Sequence, residues 1–350
     1  MLRELLVKDG FFTLEEAPLP QMATIVLAHD AEYVDAVLQG TLSSGSVRRI
    51  GFPWSPELVR RTLASVGSTL AATREAVATG WGGTLAGGTH HAFAAEGSGF
   101  CVFNDIAVAA RWVHRERCLQ RGRVAVIDLD VHQGDGTADI FRGDASVMTL
   151  SVHCKNNFPL RKQQSSLDVE LDAGVGDEEY LRVLEGVLPR VWEFGPEFVF
   201  YQSGVDGLAS DRLGRLRLSH AGLMERDRMV MRGVRELGVP FVITLGGGYS
   251  EPIALTAKRM RIRFEWRRTC LSELDCSERK QQRASRRSDG RGRPSLHCGK
   301  RPQRRRRWSL VQGEAAKTHV TGLQLSAPSH NKDRRRLSGL CRRAPAYHGQ

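Results

Sequence analysis

The sequence has no apolar run long enough to cross a membrane, which argues against an integral membrane protein. Residues 1–6 have neither the long apolar stretch nor the small-residue cleavage site of a signal peptide. The seven cysteines are odd in number and show no paired spacing, which disfavours a disulfide framework and fits a reducing compartment. We therefore expect a cytoplasmic protein.

Acidic residues are scarce only in the last hundred residues. Residues 251–350 contain 26 Lys and Arg against 8 Asp and Glu, whereas residues 1–250 contain 25 and 31. The formal charge of +12 therefore comes from this basic tail, and the remainder is a mildly acidic globular protein. The tail also lacks apolar periodicity, which predicts a disordered arm. Its arginines alternatively suggest an arm that binds nucleic acid.

Within residues 1–250, short apolar runs rich in β-branched residues alternate with helical patterns. Ser55, Pro56 and Glu57 predict a helix start, with an N-cap, a proline in the first turn and an acid near the positive dipole end. Further helices are predicted at 104–119, 178–192 and 220–237, and strands at 124–127, 147–152, 198–202 and 241–245. This alternation predicts a single α/β domain with a mostly parallel sheet and helices on both faces.

The segment after the predicted strand 124–127 contains the strongest chemical pattern. Asp128, Asp130 and His132 follow at intervals of two, so on an extended backbone their side chains point to the same side. Ligands bind beyond the carboxyl ends of parallel strands. The carboxylate of Asp130 and the imidazole of His132 would suit two ligands of one metal ion. A surface turn rich in Asp and Gly is the alternative, but a turn does not require a preceding apolar strand.

Two other segments of the sequence can be interpreted together with this candidate metal site. His90 and His91 follow paired glycines, and alone such a pair is usually incidental. Next to a hydrolytic metal site, however, they supply the base that takes a proton from water. Asp206 follows another predicted strand and is a candidate third ligand, although a lone Asp there is more often a helix cap or turn residue.

A run of three glycines, residues 246–248, precedes Tyr249 after the last predicted strand. The run is expected to place the tyrosine hydroxyl at the carboxyl edge of the sheet. Glycine-rich loops also bind phosphates. No Lys-Ser/Thr follows this one, and no Gly-x-Gly-x-x-Gly opens a helix, which disfavours that reading.

Together and in this order, six segments resemble motifs of the histone deacetylase superfamily, in particular its bacterial-type members. The segments are residues 88–92, 99–105, 128–137, 157–159, 204–206 and 246–249. The resemblance extends from about residue 1 to 256 and implies the arginase/deacetylase α/β fold. It also implies one Zn²⁺ held by Asp130, His132 and Asp206, with an open position for water or substrate.

The resemblance further implies the roles of the residues around this zinc. His90 and His91 would form the acid/base pair, hydrogen-bonded to Asp128 and Asp135, and Tyr249 would donate its hydroxyl to the substrate carbonyl. The walls and rim of a narrow substrate tunnel would be Gly99, Phe100, Phe158 and Leu213. A structural K⁺ would be bound by carbonyls around Asp128, Asp130, His132, Ser151 and Val152.

These features predict a zinc-dependent hydrolase that cleaves the amide of an acylated lysine or a small acylated amine. No membrane partner is expected, and nucleic acid would bind only through the tail. Three alternatives remain open: an inactive protein of the same fold, an arginase-like di-manganese hydrolase, and a nucleic-acid-binding protein that depends on the tail. The sequence does not indicate the substrate or the oligomeric state.

Both ends depart from the family pattern. The chain begins where members of the family usually have a helix, so a first strand and a loop near the site are expected to be missing. Residues 258–264 stand where the family has a motif like Ala-His-Ala-Asn-Thr-Phe. One allowed codon choice for these residues encodes that motif two bases later. We therefore predict a frameshift near residue 257, which the nucleotide sequence would test, so that residues 1–256 are the catalytic domain and the tail is out of frame.

Overall fold

The central sheet is built from short apolar strands. The computed structural model describes residues 1–10, 12–116, 119–261 and 308–312. Its strands are β1 (Phe12–Glu16), β2 (Trp81–Gly83), β3 (Val124–Asp128), β4 (Val147–Cys154), β5 (Leu167–Leu171), β6 (Phe198–Gln202), β7 (Phe241–Thr244) and β8 (Trp308–Gln312). Six of them pair in parallel in the order β2-β7-β6-β3-β4-β5. The predicted α/β fold with a parallel sheet is confirmed.

Helices connect these strands. They are α1 (Leu2–Asp9), α2 (Met22–Ile25), α3 (Ala31–Gln39), α4 (Ser44–Ile50), α5 (Pro56–Thr79), α6 (Asp105–Arg115), α7 (Asp135–Ile140), α8 (Asp177–Glu193) and α9 (His220–Leu237). Helix α5 begins as predicted, because the Ser55 hydroxyl accepts a hydrogen bond from the Leu58 amide at 3.1 Å. Among the helices that the structure describes, none is both long and apolar enough to span a bilayer.

The two faces of the sheet support separate hydrophobic clusters. In β3, Val124 and Val126 pack with apolar residues of α5 and α6, whereas Ala125 and Ile127 pack with those of α8 and α9. Successive side chains of a strand point to opposite faces, so a strand covered on both sides is apolar throughout. The continuous apolar runs of the sequence therefore reflect helices on both faces, as predicted.

The parallel arrangement brings the carboxyl ends of the central strands to one edge. Asp128 at the end of β3 is in register with Gln202 of β6 and with Ser151 of β4, and Gln202 is in register with Thr244 of β7. The segments that follow β3, β6 and β7 therefore emerge side by side. This edge carries the candidate site.

The C-terminal part of the chain is described only in two places. Residues 254–261 are helical, and the buried Arg259 donates a hydrogen bond to Asp227 of α9. Strand β8 pairs in parallel with β1 as a separate two-stranded sheet. The predictions of a disordered, out-of-frame or nucleic-acid-binding tail otherwise fall outside the described residues, and the domain boundary at residue 256 stays a prediction.

Candidate active site

Three buried side chains converge at the carboxyl edge of the sheet. Asp130 and His132 follow β3, and Asp206 follows β6. Nδ1 of His132 lies 3.0 Å from Oδ1 of Asp130 and 3.1 Å from Oδ2 of Asp206. One ligand atom from each residue lies within 4.8 Å of the others. The structure thus brings together the three residues that were predicted to be metal ligands.

Main-chain amides orient the two carboxylates. Oδ2 of Asp130 accepts a hydrogen bond from the Gly247 amide at 2.7 Å, and Oδ1 of Asp206 accepts one from the Val131 amide at 3.0 Å. The other oxygen of each carboxylate is left facing His132. This arrangement presents one oxygen from each aspartate, together with an imidazole nitrogen, to a common point.

Glycine is required beside these carboxylates. A Cβ atom at Gly247 would lie 2.0 Å from Oδ2 of Asp206, and one at Gly204 would lie 2.2 Å from Oδ2 of Asp130. Both contacts are far shorter than real Cβ contacts. The glycines after β6 and β7 therefore let the backbone close around the cluster.

The electrostatics of the cluster favour a bound cation. Burial and the charge of Asp130 raise the pKa of Asp206 to about 7. Burial alone would lower the pKa of His132, but hydrogen bonds and charge from Asp130 and Asp206 raise it to about 10. Two buried carboxylates around one imidazole thus hold positive charge strongly, whether as a proton or as a metal ion.

The donor set and its spacing fit zinc. A nitrogen and two carboxylate oxygens are ligands that zinc uses in catalytic sites. With bonds of roughly 2.0–2.2 Å in a tetrahedral arrangement, adjacent ligand atoms lie roughly 3.3–3.6 Å apart. The separations of 3.0 and 3.1 Å are within a few tenths of an ångström of this range.

Two carboxylate–histidine pairs flank the cluster. Nδ1 of His90 lies 2.6 Å from Oδ2 of Asp128, and Nδ1 of His91 lies 2.7 Å from Oδ1 of Asp135. The two imidazole rings are 4.1 Å apart between centroids. Each histidine therefore directs its other ring nitrogen away from its carboxylate partner.

The pKa values of the two histidines are shifted in opposite directions. Burial alone would lower the pKa of His90, but the carboxylates of Asp128 and Asp130 raise it to about 9. Burial, together with the charges of His90 and His132, lowers the pKa of His91 well below its usual value. The pKa values of the two neighbouring histidines are thus shifted in opposite directions, which is the division that acid and base chemistry needs.

Two of the four predicted tunnel residues, Gly99 and Phe158, lie against His91. The Phe158 ring meets His91 edge to face at 4.8 Å, and a Cβ at Gly99 would lie 2.7 Å from the His91 ring. Phe100 and Leu213 are about two-fifths exposed, at 39% and 40%. Phe158 is exposed to the same extent, at 38%. Phe100 packs on Phe52, at 5.1 Å between ring centroids.

Tyr249 is half-buried at the same edge. Its amide donates to Oδ2 of Asp211 at 2.6 Å. Burial and the negative charges of Asp206 and Asp130 raise the pKa of its hydroxyl. The phenol is therefore protonated at neutral pH and can donate a hydrogen bond.

For the predicted potassium site, the structure gives the positions of the residues that were expected to bind the ion. Asp128 and Ser151 are register partners on adjacent strands, so the carbonyl groups named for K⁺ start from neighbouring positions. The Ser151 hydroxyl lies 2.9 Å from Nδ1 of His153. Binding of K⁺ stays a prediction.

Two residues without a predicted role, Asn104 and Asp105, hold the loop that carries His90 and His91, called the histidine loop below. The Asp105 carboxylate, fully buried at the start of α6, accepts hydrogen bonds from the amides of Gly88 at 3.0 Å and Thr89 at 2.7 Å. Nδ2 of Asn104 donates to the carbonyl of Ala92 at 3.2 Å. These bonds lie on either side of His90 and His91 and fix both side chains relative to the sheet.

Arg226 of α9 in the same way holds the two loops that carry the candidate metal ligands. Its buried guanidinium donates to the carbonyls of Leu129 at 3.1 Å and Gly204 at 2.6 Å, and it pairs with Asp227. Leu129 immediately precedes Asp130, and Gly204 lies two residues before Asp206. A single cation therefore ties the two ligand-bearing loops together.

We expect Arg226→Met to destabilise the protein by about 3–5 kcal/mol, because it leaves buried carbonyls and Asp227 without this donor. Urea unfolding followed by circular dichroism would measure the loss. Arg182→Met is the matched control, because Arg182 forms an exposed pair with Glu178 worth at most about 1 kcal/mol. Equal midpoints for the two variants would contradict this role of Arg226.

Metal-dependent hydrolases combine a metal-binding cluster with a nearby proton acceptor, and this is the class to which the fold and the site point. Residues 1–262 match the histone deacetylase domain. The chain therefore belongs to the histone deacetylase family, and hence to a family of hydrolases.

Several proteins are similar to this chain. An uncharacterized protein of Picosynechococcus sp. is 44% identical over 260 residues, which cover 72% of this chain and 85% of that protein. Histone deacetylase 2 of Arabidopsis thaliana is 32% identical over 266 residues, 71% of this chain and 67% of that protein. Histone deacetylase clr6 of Schizosaccharomyces pombe is 35% identical over 204 residues, 53% of this chain and 47% of that protein.

Proposed function

We propose that the protein is a zinc-dependent deacylase that hydrolyses the amide of an acylated lysine or a small acylated amine. The observation that carries this proposal is the buried convergence of Asp130, His132 and Asp206 beside the two carboxylate-bound histidines. Family membership supports the reaction class. The names of the relatives support an acylated amine as the substrate.

Asp130, His132 and Asp206 would hold the zinc ion. When bound, zinc would polarise the substrate carbonyl and lower the pKa of water at the open position. A second metal is not supported, because the described residues contain one such cluster, and Asp128 and Asp135 are engaged with His90 and His91. This engagement argues against the di-manganese alternative.

His91 would act as the general base. Its Nδ1–H donates to Asp135, so Nε2 carries the lone pair that takes a proton from the attacking water. The lowered pKa of His91 supports the neutral form that this step requires. Asp135 would orient the ring and stabilise its charge after the transfer.

Tyr249 and His90 would act on the two ends of the breaking amide. The Tyr249 hydroxyl would donate to the carbonyl oxygen, on which negative charge develops in the transition state. His90, cationic beside Asp128, would help to return a proton to the leaving amine. The products are a carboxylate and a free amine.

The surroundings of His91 support a slender substrate. Phe158 packs edge to face with the His91 ring, and Gly99 leaves room where a side chain would collide with His91. An extended lysine or polyamine chain is narrow and apolar along its methylenes, so it suits aromatic and glycine walls. The exposed Phe100 and Leu213 would form the rim of this tunnel.

Metal content and turnover test the proposal. We expect one zinc per chain by elemental analysis, and hydrolysis of an acetyl-lysine peptide. A chelator should abolish hydrolysis, and added zinc should restore it, because the base and Tyr249 alone cannot activate water to the same extent. A panel of acyl lengths and an acetylated polyamine would define the substrate. A zinc-loaded, folded protein that hydrolyses none of these would favour the inactive alternative.

A further inference from the structure

The carboxylate of Asp211 lies between two backbone segments at the mouth of the site. Its Oδ2 accepts from the amide of Tyr249 at 2.6 Å, and its Oδ1 accepts from the amides of Leu213 at 2.9 Å and Gly214 at 2.8 Å. Both oxygens are thus used on main-chain donors. Hydrogen bonds to an ionised carboxylate are roughly twice as strong as neutral ones.

Tyr249 depends on such an anchor. It follows three glycines, which give its backbone little intrinsic rigidity. Gly247 is held by Asp130, and the next side-chain bond along the chain is the one from the Tyr249 amide to Asp211. A backbone bridge between Asp211 and Ser250 adds to it. Ser210 and Thr256 bind the next residue, Ser250, whereas Asp211 binds the amide of Tyr249 itself. Asp211 therefore holds the backbone at the residue from which the phenol projects.

Asp211 also connects the backbone of Tyr249 to Leu213, at the predicted rim of the tunnel. The carbonyl of Leu213 accepts a hydrogen bond from Nδ2 of Asn157 at 2.9 Å, and Asn157 immediately precedes Phe158. The wall at Phe158, the rim at Leu213 and the backbone of Tyr249 are thus joined through Asp211. A displacement of Asp211 would therefore move the backbone of Tyr249 and, with it, the phenol.

We propose that Asp211 is a positioning residue that places the Tyr249 hydroxyl over the cluster of Asp130, His132 and Asp206. This inference rests on the function proposed above for Tyr249. Asp211→Asn keeps the size of the side chain but turns one acceptor into a donor. The new NH₂ group would face a main-chain N–H, so the hydrogen bonds accepted by one of the two carboxylate oxygens would be lost.

Four proteins test the inference: the parent, Asp211→Asn, Tyr249→Phe and the double variant. Asp211→Asn should lower kcat on acetyl-lysine peptide by about tenfold or more, with KM and zinc content little changed, because small displacements of reacting groups carry large rate effects. In the Tyr249→Phe background, the same substitution should change kcat little. Asp144→Asn is the control, because it loses an acceptor for the Ser146 amide at the opposite edge of the sheet and should leave kcat unchanged.

A second measurement does not depend on activity. The chain has five tyrosines, so protein labelled with 3-fluorotyrosine should give five ¹⁹F resonances, and Tyr249→Phe identifies that of residue 249. Asp211→Asn should shift or broaden this resonance and leave the others in place. Multiplicative losses in the double variant, or an unchanged resonance, would overturn the role of Asp211. An inactive parent whose residue-249 resonance still responds would instead reject the proposed function alone.

Discussion

On the proposed zinc-dependent mechanism, replacing Asp206 with alanine should remove both zinc binding and hydrolytic activity. Only Asp130 and His132 would remain as ligands, and catalytic zinc sites use three protein ligands. Loss of a residue that merely hydrogen-bonds a ligand already lowers affinity or activity by about 10–100-fold. We therefore expect the loss from removing a ligand to exceed about a hundredfold. Zinc per chain and kcat/KM, measured on the same samples, would show both effects.

The fold should survive this substitution. Asp206 and Asp130 are buried together, and their mutual repulsion contributes to the raised pKa of Asp206. Removing one charge relieves this repulsion, which offsets part of the loss of the contacts of Asp206 with the Val131 amide and His132. Asp144→Ala, at the opposite edge of the sheet, is the control that should keep zinc and activity. If Asp206→Ala retained one zinc per chain and normal turnover, the cluster would not be the catalytic centre.

The parts of the site that follow strands could be predicted from the sequence. Asp130, His132 and Asp206 each stand just beyond an apolar run, and parallel strands bring such positions to one edge whatever the loops do. The central strands β3, β6 and β7 were predicted within one residue of their observed ends for the same reason. Local patterns are sufficient where burial on both faces makes a strand continuously apolar.

The outer strands β2 and β5 could not be predicted from their local sequence. β2 contains two glycines in its three residues, and β5 alternates apolar and polar residues beside the exposed end of the sheet. The inner strand β4 was predicted to end at Val152 but extends to Cys154. The polar His153 interrupts the apolar run in the sequence, although it is fully buried in the structure. The pairing of β2 and β5 depends on neighbours that are distant in the sequence.

The residues that support the site were missed because their partners are also distant. Arg226 and Leu129 are 97 positions apart, and no local pattern connects them. Asn104 and Asp105 stand where an N-cap and a first-turn acid are expected for α6, so a capping role accounted for them. Gln202 gave a usable signal, since it is a polar residue at the end of a buried strand, as Asp128 is. Its amide donates to the Gly88 carbonyl at 2.7 Å, beside the histidine loop.

Replacing Tyr249 by phenylalanine should lower kcat by about two orders of magnitude, the usual scale for one oxyanion donor. The variant keeps the ring and loses only the hydroxyl, which burial and nearby carboxylates keep protonated. KM and zinc content should change little, because the hydroxyl contributes mainly when charge develops on the substrate oxygen. Steady-state kinetics on zinc-quantified protein would measure this, with Tyr33→Phe as the matched control, since the Tyr33 hydroxyl donates to the Val102 carbonyl within the core. Undiminished turnover by Tyr249→Phe would exclude the tyrosine from the reaction, and the negative charge on the substrate oxygen would then have to be stabilised by other groups.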